Sequence, residues 1–341
     1  MEAYYLSEAV KTKENNLNAV KLAAALLVIV SHAYGFASGY EKTDWLNLVT
    51  GGAGDFGALA VNTFFFYSGL LVSASLFRNG SFKRYVKRRA QRIYPPFLTV
   101  TLLIVFVAAP FVTTLTLAQY FTDINTYRYL ENLVFITRHD LPGVFTENIY
   151  GTSVNGPIWT IRVEVFCYCI GYVFYRLGWM KKNKIKYILI SSLFLVSLMG
   201  YGAYNGIEGL SAVIMPVAMY ILGIIYMVFA DKLKLDLRIA YCALTGLILC
   251  LLLRGFLFGC IVFLPYILCC AAFVLKQNGK IRSLLNRMGA WSYEIYLWGG
   301  FAGQMIVYMF GGYMNISLNI LLTIPVCMIL GWATNRLVVK H

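Results

Sequence analysis

Runs of about 20 apolar residues recur along the whole chain, separated by short polar segments rich in Lys and Arg. Each run can cross roughly 30 Å of hydrocarbon as a helix. Ten spans are predicted, at about 17–37, 56–77, 97–118, 157–175, 187–203, 209–230, 237–253, 255–275, 289–310 and 316–335. Lipid offers the backbone no hydrogen bonds, so a run of this length satisfies its own polar groups by folding as a helix. No polar stretch is long enough to hold a soluble domain. The pattern predicts one all-α membrane domain over residues 1–341.

Between the second and third runs, Phe82 to Tyr94 reads as an amphipathic cytoplasmic helix ended by Pro95 and Pro96. Phe82, Tyr85, Val86 and Ile93 make one stripe; Lys83, Arg84, Lys87, Arg88 and Gln91 make the other face. The polar face suits water or lipid headgroups. Arg89 breaks the pattern, because it falls seven residues after Phe82 in the middle of the apolar stripe, with Arg92 at its edge. An arginine turned toward protein needs an anion, and its planar fork matches phosphate.

Charge then sets orientation. With a cytoplasmic N-terminus, the loops on that side carry 23 Lys and Arg, and the opposite loops carry four, Lys42, Arg128, Arg138 and Arg254. Such alternation is the positive-inside pattern, and it places both termini in the cytoplasm. The composition agrees: 60% of residues are hydrophobic, 13% are charged and the mean hydropathy is +0.68. The net charge of +14 follows from topology and attraction to anionic membrane lipids. No nucleic-acid motif accompanies it. The eight cysteines lie in apolar runs without metal spacing and read as small hydrophobes, so no metal is expected. Met1 to Asn16 carries Glu2, Glu8 and Glu14 and lacks the basic start of a cleaved signal. The longest outer loop, about 119–156, is acidic and aromatic. Its rings suit a sugar-rich acceptor or a belt at the membrane interface.

Five ionisable residues fall inside spans: Lys21, His32, Arg162, Glu164 and Glu294. Such groups are costly in lipid and mark functional sites. His32 is the one imidazole in a span, and imidazole suits proton removal from a hydroxyl near neutral pH. Lys21 precedes it by eleven residues, so the two share a helix face about 16 Å apart. A long ligand with an anionic head and a distant reactive end fits that layout, as does a Lys21 that snorkels to headgroups. Glu164 matches the depth of His32 and is expected to pair with it, because a buried carboxylate needs a partner. Arg162 points about 200° away from Glu164, toward lipid or an acceptor.

These residues lie in segments that resemble the acyltransferase 3 family of membrane O-acyltransferases. The landmarks are Asn18 to His32, Phe64 to Gly69, Arg88 to Pro95, Asn155 to Trp159 with Glu164, and Ser292 to Trp298. The resemblance implies ten spans in the bacterial inner membrane and acylation of surface polysaccharides or lipid-linked glycans. It implies functional roles for Lys21, His32, Arg89, Arg92 and Glu164. Members usually carry arginine at Lys21, and many carry histidine where this chain has Gly299. No hydrolase-like domain follows the last span, so onward transfer is expected to need another protein.

The expected reaction moves an acyl group, acetyl in the simplest case, from cytoplasmic acyl-CoA to a hydroxyl of a polysaccharide or glycolipid. His32 and Glu164 would be catalytic. Lys21, Arg89, Arg92 and Ser68 would hold acetyl-CoA, and Asn155, Trp159 and Arg162 would face the acceptor. Phe64 to Gly69 also suits close helix packing. The rival expectation is a proton-coupled transporter or flippase of a glycolipid, which intramembrane Lys, His and Glu would also suit. The orientation is testable. In a cysteine-free background, single cysteines at Lys42 and Asp140 should label from outside, and one at Lys87 should not; outside labelling at Lys87 would invert the topology.

Overall fold

The computed structural model describes residues 4–12, 14–39, 41–207, 209–275 and 279–338. Lys13, Lys276, Lys340 and both extreme termini, counted above in the orientation, lie outside the described residues. The long helices, in chain order, are α1 (Leu17–Ser38), α2 (Phe56–Arg78), α3 (Phe82–Leu103), α4 (Trp159–Arg176), α5 (Ile185–Tyr204), α6 (Leu210–Val228), α7 (Leu237–Leu252), α8 (Phe256–Val262), α9 (Leu264–Phe273), α10 (Gly279–Gly289), α11 (Ser292–Met309) and α12 (Ile316–Val338). Among the described residues, strand is confined to β1 (Tyr4–Tyr5) and β2 (Lys234–Leu235), which pair antiparallel. That pairing ties the N-terminal segment to the turn after α6.

Among the described residues seven helices, α1 to α6 and α12, are long and apolar enough to cross a membrane, and the α8–α9 pair makes eight if counted as one span. Three of the ten expected spans depart for separate reasons. Helix α7 has 16 residues, or roughly 24 Å, short of the hydrocarbon thickness. Helices α8 and α9 bend by 49° at Phe263, where Pro265 opens α9. Helix α11 is less apolar, and 14 of its 18 residues are buried. Its Gly, Ser and Gln content serves contact with protein on every side, not with lipid.

The segment around Pro95 and Pro96 is a correction. Both prolines sit inside α3, which runs on through π and 3-10 turns to Phe111. Proline holds a helical φ and forfeits one N–H. Neighbours occupy nearby carbonyls: Thr99 Oγ1 donates to Pro95 O at 2.9 Å, and Tyr293 Oη donates to Ile93 O at 3.3 Å. The basic stripe is thus the N-terminal part of one continuous helix whose apolar remainder is the candidate span, and the prolines do not end it.

Helix α2 is the axis of the bundle. It packs on α6 through glycines: a Cβ at Gly69 would lie 1.9 Å from Tyr220 O, and one at Gly223 would lie 2.2 Å from Phe66 O. The two backbones therefore touch. On the other side α1, α11 and α12 close the bundle, with Gly303 against Phe36 and Gly331 against Ile295. Polar pins cross these contacts. Trp298 Nε1 donates to Thr334 Oγ1 at 2.9 Å, Asn335 Nδ2 donates to Glu294 Oε1 at 2.9 Å, and Asn319 Nδ2 donates to Gly303 O at 3.1 Å. Helix α5 sits at the periphery and exposes Ile190, Leu193 and Phe194.

The 119–156 segment also differs from expectation. Tyr120, Tyr129 and Phe145 are fully buried, and Tyr120 Oη donates to Val105 O at 2.9 Å. Those rings anchor the segment on the bundle and offer no face to a sugar. Tyr127 is exposed.

The α2–α6 contact yields a stability test. Gly69→Ala should destabilise the solubilised protein by about 1–3 kcal/mol, as overpacking does. Gly200→Ala on α5, where a Cβ meets nothing within 4 Å, should cost nothing measurable. Thermal unfolding in detergent checks both, and equal melting temperatures would disprove the tight contact.

Candidate active site

One stripe of α2 lines three chambers in succession. The first holds about 570 Å³ and is lined by Ala58, Val61 and Asn62 of α2, with His32, Asp55 and Trp159. The second is a constriction of about 60 Å³, lined by Val61 and Ser68 of α2, with Lys21, Arg92, Glu164 and Tyr293. A mouth of about 550 Å³ follows, lined by Leu71, Ser75 and Arg78 of α2, with Arg88, Arg89 and Arg92. Adjacent chambers share walls: Val61, Thr160 and Tyr296 between the first two, and Leu71 and Arg92 between the last two. From Val61 to Arg78 the stripe covers roughly 25 Å.

Local sequence sets these positions. Asp44 caps the short helix Trp45–Thr50 through Asn47 N, and its Oδ2 accepts from Ser31 Oγ at 2.8 Å and from Phe56 N at 3.0 Å. Asp55 caps α2 through Ala58 N at 2.6 Å. Two acidic N-caps therefore fix the start of α2 against α1, beside His32. Gly39 ends α1 at φ 59°, and a Cβ there would lie 2.8 Å from Ile149 Cγ1. Only glycine fits both demands.

His32 Nδ1 lies 2.9 Å from Val28 O. A carbonyl oxygen only accepts, so this contact places the proton on Nδ1 and leaves the Nε2 lone pair free. Asp44 and Asp55 are the carboxylates that line the chamber with His32.

Glu164 is elsewhere. Its Oε1 accepts from Tyr168 Oη, and it lines the constriction with Lys21 and Arg92. The expected His32–Glu164 pair is not formed among the described residues: each side chain has its own partner, and the Thr160–Tyr296 wall stands between their chambers. Tyr296 Oη donates to Pro157 O at 2.5 Å and meets Thr160 Oγ1 at 2.6 Å.

The other expected residues divide. Lys21, Ser68, Arg89, Arg92 and Trp159 all line one or another of these adjacent chambers. Ser68 Oγ, and Nε and Nη1 of Arg89, are buried without a hydrogen-bond partner. The Arg89 guanidinium lies 5.4 Å from the centre of the Tyr168 ring. Asn155 is not an acceptor contact: it is 2% exposed and its Nδ2 donates to Leu297 O at 2.8 Å. It pins the start of α4 to α11. Arg162 lines a separate apolar groove with Phe166 and Met199. Sequence reasoning missed Asp55, Thr160 and Tyr296; it put Arg88 on a solvated face, and Arg88 is exposed but also lines the mouth. Asp55 before Phe56 carries a helix-cap signal; the chamber it faces carries none.

Residues 14–336 match the model of the family described as an acyltransferase domain. The chain belongs to the acyltransferase 3 family. Of its 341 residues, 193 align at 27% identity with an O-acetyl transferase of Shigella phage Sf6, covering 57% of this chain and 55% of that protein. The chain thus spans about half the length of this curated relative. No solved structure matches. Acyltransferase 3 membership and the apolar helices together make this a multi-pass membrane protein.

For this acyltransferase 3 chain the separation of His32 from Glu164 has a kinetic signature. Sites without shared partners give additive free energies. The loss in acyl transfer for His32→Ala with Glu164→Gln should approximate the product of the two single losses. A double variant no worse than His32→Ala alone would restore the direct pair.

Proposed function

We propose that the chain transfers an acyl group, acetyl in the simplest case, from acyl-CoA to a hydroxyl of a cell-surface polysaccharide or lipid-linked glycan. The single observation that carries this reading is the run of shared walls from an arginine-lined mouth to the His32 chamber. Acyl-CoA has the matching form: phosphates at one end, an extended arm, a thioester at the other. Arg89 and Arg92 receive the phosphates, and Lys21 adds a cation where the arm enters. The constriction suits an extended chain better than a sugar ring, which favours transfer over passage of a glycolipid. Ser68 Oγ can donate to a carbonyl along the arm.

In this scheme the thioester reaches the Thr160–Tyr296 wall and the acceptor hydroxyl enters the His32 chamber from the other side. Nε2 of His32 takes the hydroxyl proton as the oxygen attacks the thioester carbon. The C–O bond forms, the C–S bond breaks, and the imidazolium returns its proton to the departing CoA thiolate. The Val28 carbonyl keeps the imidazole in the required tautomer, and Asp55 favours the cation that forms. Trp159 offers a ring face to the acceptor.

The finer topology belongs to the same proposal. Counting α7, the α8–α9 pair and α11 as spans restores ten, in a bacterial inner membrane with the arginine mouth on the cytoplasmic side. Labelled acetyl-CoA given to the purified protein tests the reaction. Wild type should release or transfer label. His32→Ala should bind CoA normally and lose about 10²–10⁴-fold in rate, the usual cost of removing a general base. A near wild-type rate in His32→Ala would remove it from the mechanism.

A further inference from the structure

The mouth holds more charge than the family resemblance assigned to it. Four guanidinium groups line it, those of Arg78, Arg88, Arg89 and Arg92, with Ser75 and Asn79, and no carboxylate among the described lining residues. The carboxylate of the adjoining constriction, Glu164, is shared with Lys21 and cancels at most one charge. Two donor atoms of Arg89 are buried with nothing to bond. Orphaned donors on a charged group are expensive to bury. Arg78, Arg88 and Arg92 are exposed, and with the part-buried Arg89 they gather four cations at one mouth, an arrangement that suits a polyanion.

Position along the path divides the four into two pairs. Arg92 lines both the mouth and the constriction, and Arg89 is three residues away on the same face of α3. These two stand where the arm begins. Arg78 is the last residue of α2, and Arg88 reaches the same helix with Nη1 3.3 Å from Ser75 Oγ. This second pair lies on the side of the mouth away from the thioester. In CoA the pyrophosphate adjoins the pantetheine arm, and the 3′-phosphate is on the far side of the ribose. A phosphomonoester carries about −1.5 to −2 at neutral pH, and the pyrophosphate adds about one charge per phosphorus. The sum nearly balances four guanidinium groups.

We infer that Arg78 and Arg88 bind the 3′-phosphate of the donor, so that the mouth selects free acyl-CoA over donors that lack this group, such as dephospho-CoA or a carrier-protein phosphopantetheine. The inference rests on the acyl-CoA reading above. It separates Arg88, which lines the mouth, from Arg84, which lines none of the three chambers; both are exposed.

The test compares acetyl-CoA with acetyl-dephospho-CoA on the full chain in nanodiscs of zwitterionic lipid. Wild type should show a KM for the dephospho donor raised roughly 10–100-fold, the range expected for losing hydrogen bonds to a charged group, with kcat little changed. The double variant R78Q/R88Q should raise KM for acetyl-CoA by a similar factor and treat both donors alike. R84Q should leave the ratio intact. Equal KM values for the two donors in wild type, or a ratio unchanged in R78Q/R88Q, would overturn the assignment. If these arginines instead serve anionic lipid, the double variant will keep its donor ratio and lose a dependence on added phosphatidylglycerol, which also overturns it. Equilibrium binding of labelled CoA and dephospho-CoA gives a readout independent of turnover. Failure to bind either would sink the acyl-CoA reading itself, whereas equal binding of both would sink only the 3′-phosphate assignment. If R78Q/R88Q does not fold, R78K and R88K keep the charge and lose the fork; each should show an intermediate ratio.

Discussion

The close approach of α2 and α6 governs the rest of the molecule. With Gly69 and Gly223 in the contact, the two backbones meet without side chains between them. That leaves the opposite stripe of α2, from Ala58 to Arg78, free to line a passage. Had larger residues separated the helices, α2 would be pushed into its own chambers, of which the middle one holds only about 60 Å³. Ser68 illustrates the consequence. It neighbours Gly69 in sequence, so one residue faces the helix contact and the next faces the constriction. The Phe64 to Gly69 segment thus serves packing and passage together, the two uses its composition had left open.

A second constraint is polar satisfaction where water is scarce. Helix α11 is the clearest case, because it is held by hydrogen bonds on several sides. Trp298, Glu294 and the Gly303 carbonyl bond to α12, and the Leu297 carbonyl bonds to Asn155. Each pin removes a buried polar group that would otherwise cost free energy. Together they fix Tyr296, and Tyr296 with Thr160 forms the wall between the His32 chamber and the constriction. The orphans that remain are informative by contrast. Among the described residues nine buried side-chain N or O atoms lack a partner, and four of them, Asn62 Oδ1, Ser68 Oγ and two nitrogens of Arg89, belong to residues that line the chambers.

Much of this was legible in the sequence, and the failures have physical causes. Apolar runs located every described helix that is long and apolar enough to cross a membrane, because hydrophobic length is a strong and local signal. They could not tell a helix that faces lipid from one that faces protein, and so α11 read as an ordinary span. Pro95 and Pro96 read as a stop because proline usually is one; here the helix runs on through both. The helical period placed Lys21 and His32 on one passage, since both lie on a single regular helix. Depth matching failed for His32 and Glu164. Equal depth on two helices says nothing about rotation, and side-chain partners within one turn, Val28 for His32 and Tyr168 for Glu164, outcompeted the long reach. The wheel put Arg88 on a solvated face, and Arg88 is exposed; what the wheel could not show is that the last turns of α2 meet that face and make it one wall of the mouth.

The independence of His32 from Glu164 changes what each is for under the proposed reaction. An imidazole whose Nδ1 proton is held by a carbonyl of its own helix needs no carboxylate to select its tautomer. Asp55 can then act on the cation through the chamber without forming a bond. Glu164 is released for a different role, since it lies beside two cations, Lys21 and Arg92, in the narrowest part of the passage. Those cations would repel each other there without a carboxylate. A passage that draws in a polyanion needs positive charge at its mouth and local balance at its neck. The arginines of the mouth remain uncompensated until a ligand arrives, while the neck stays neutral enough to remain packed around an uncharged arm.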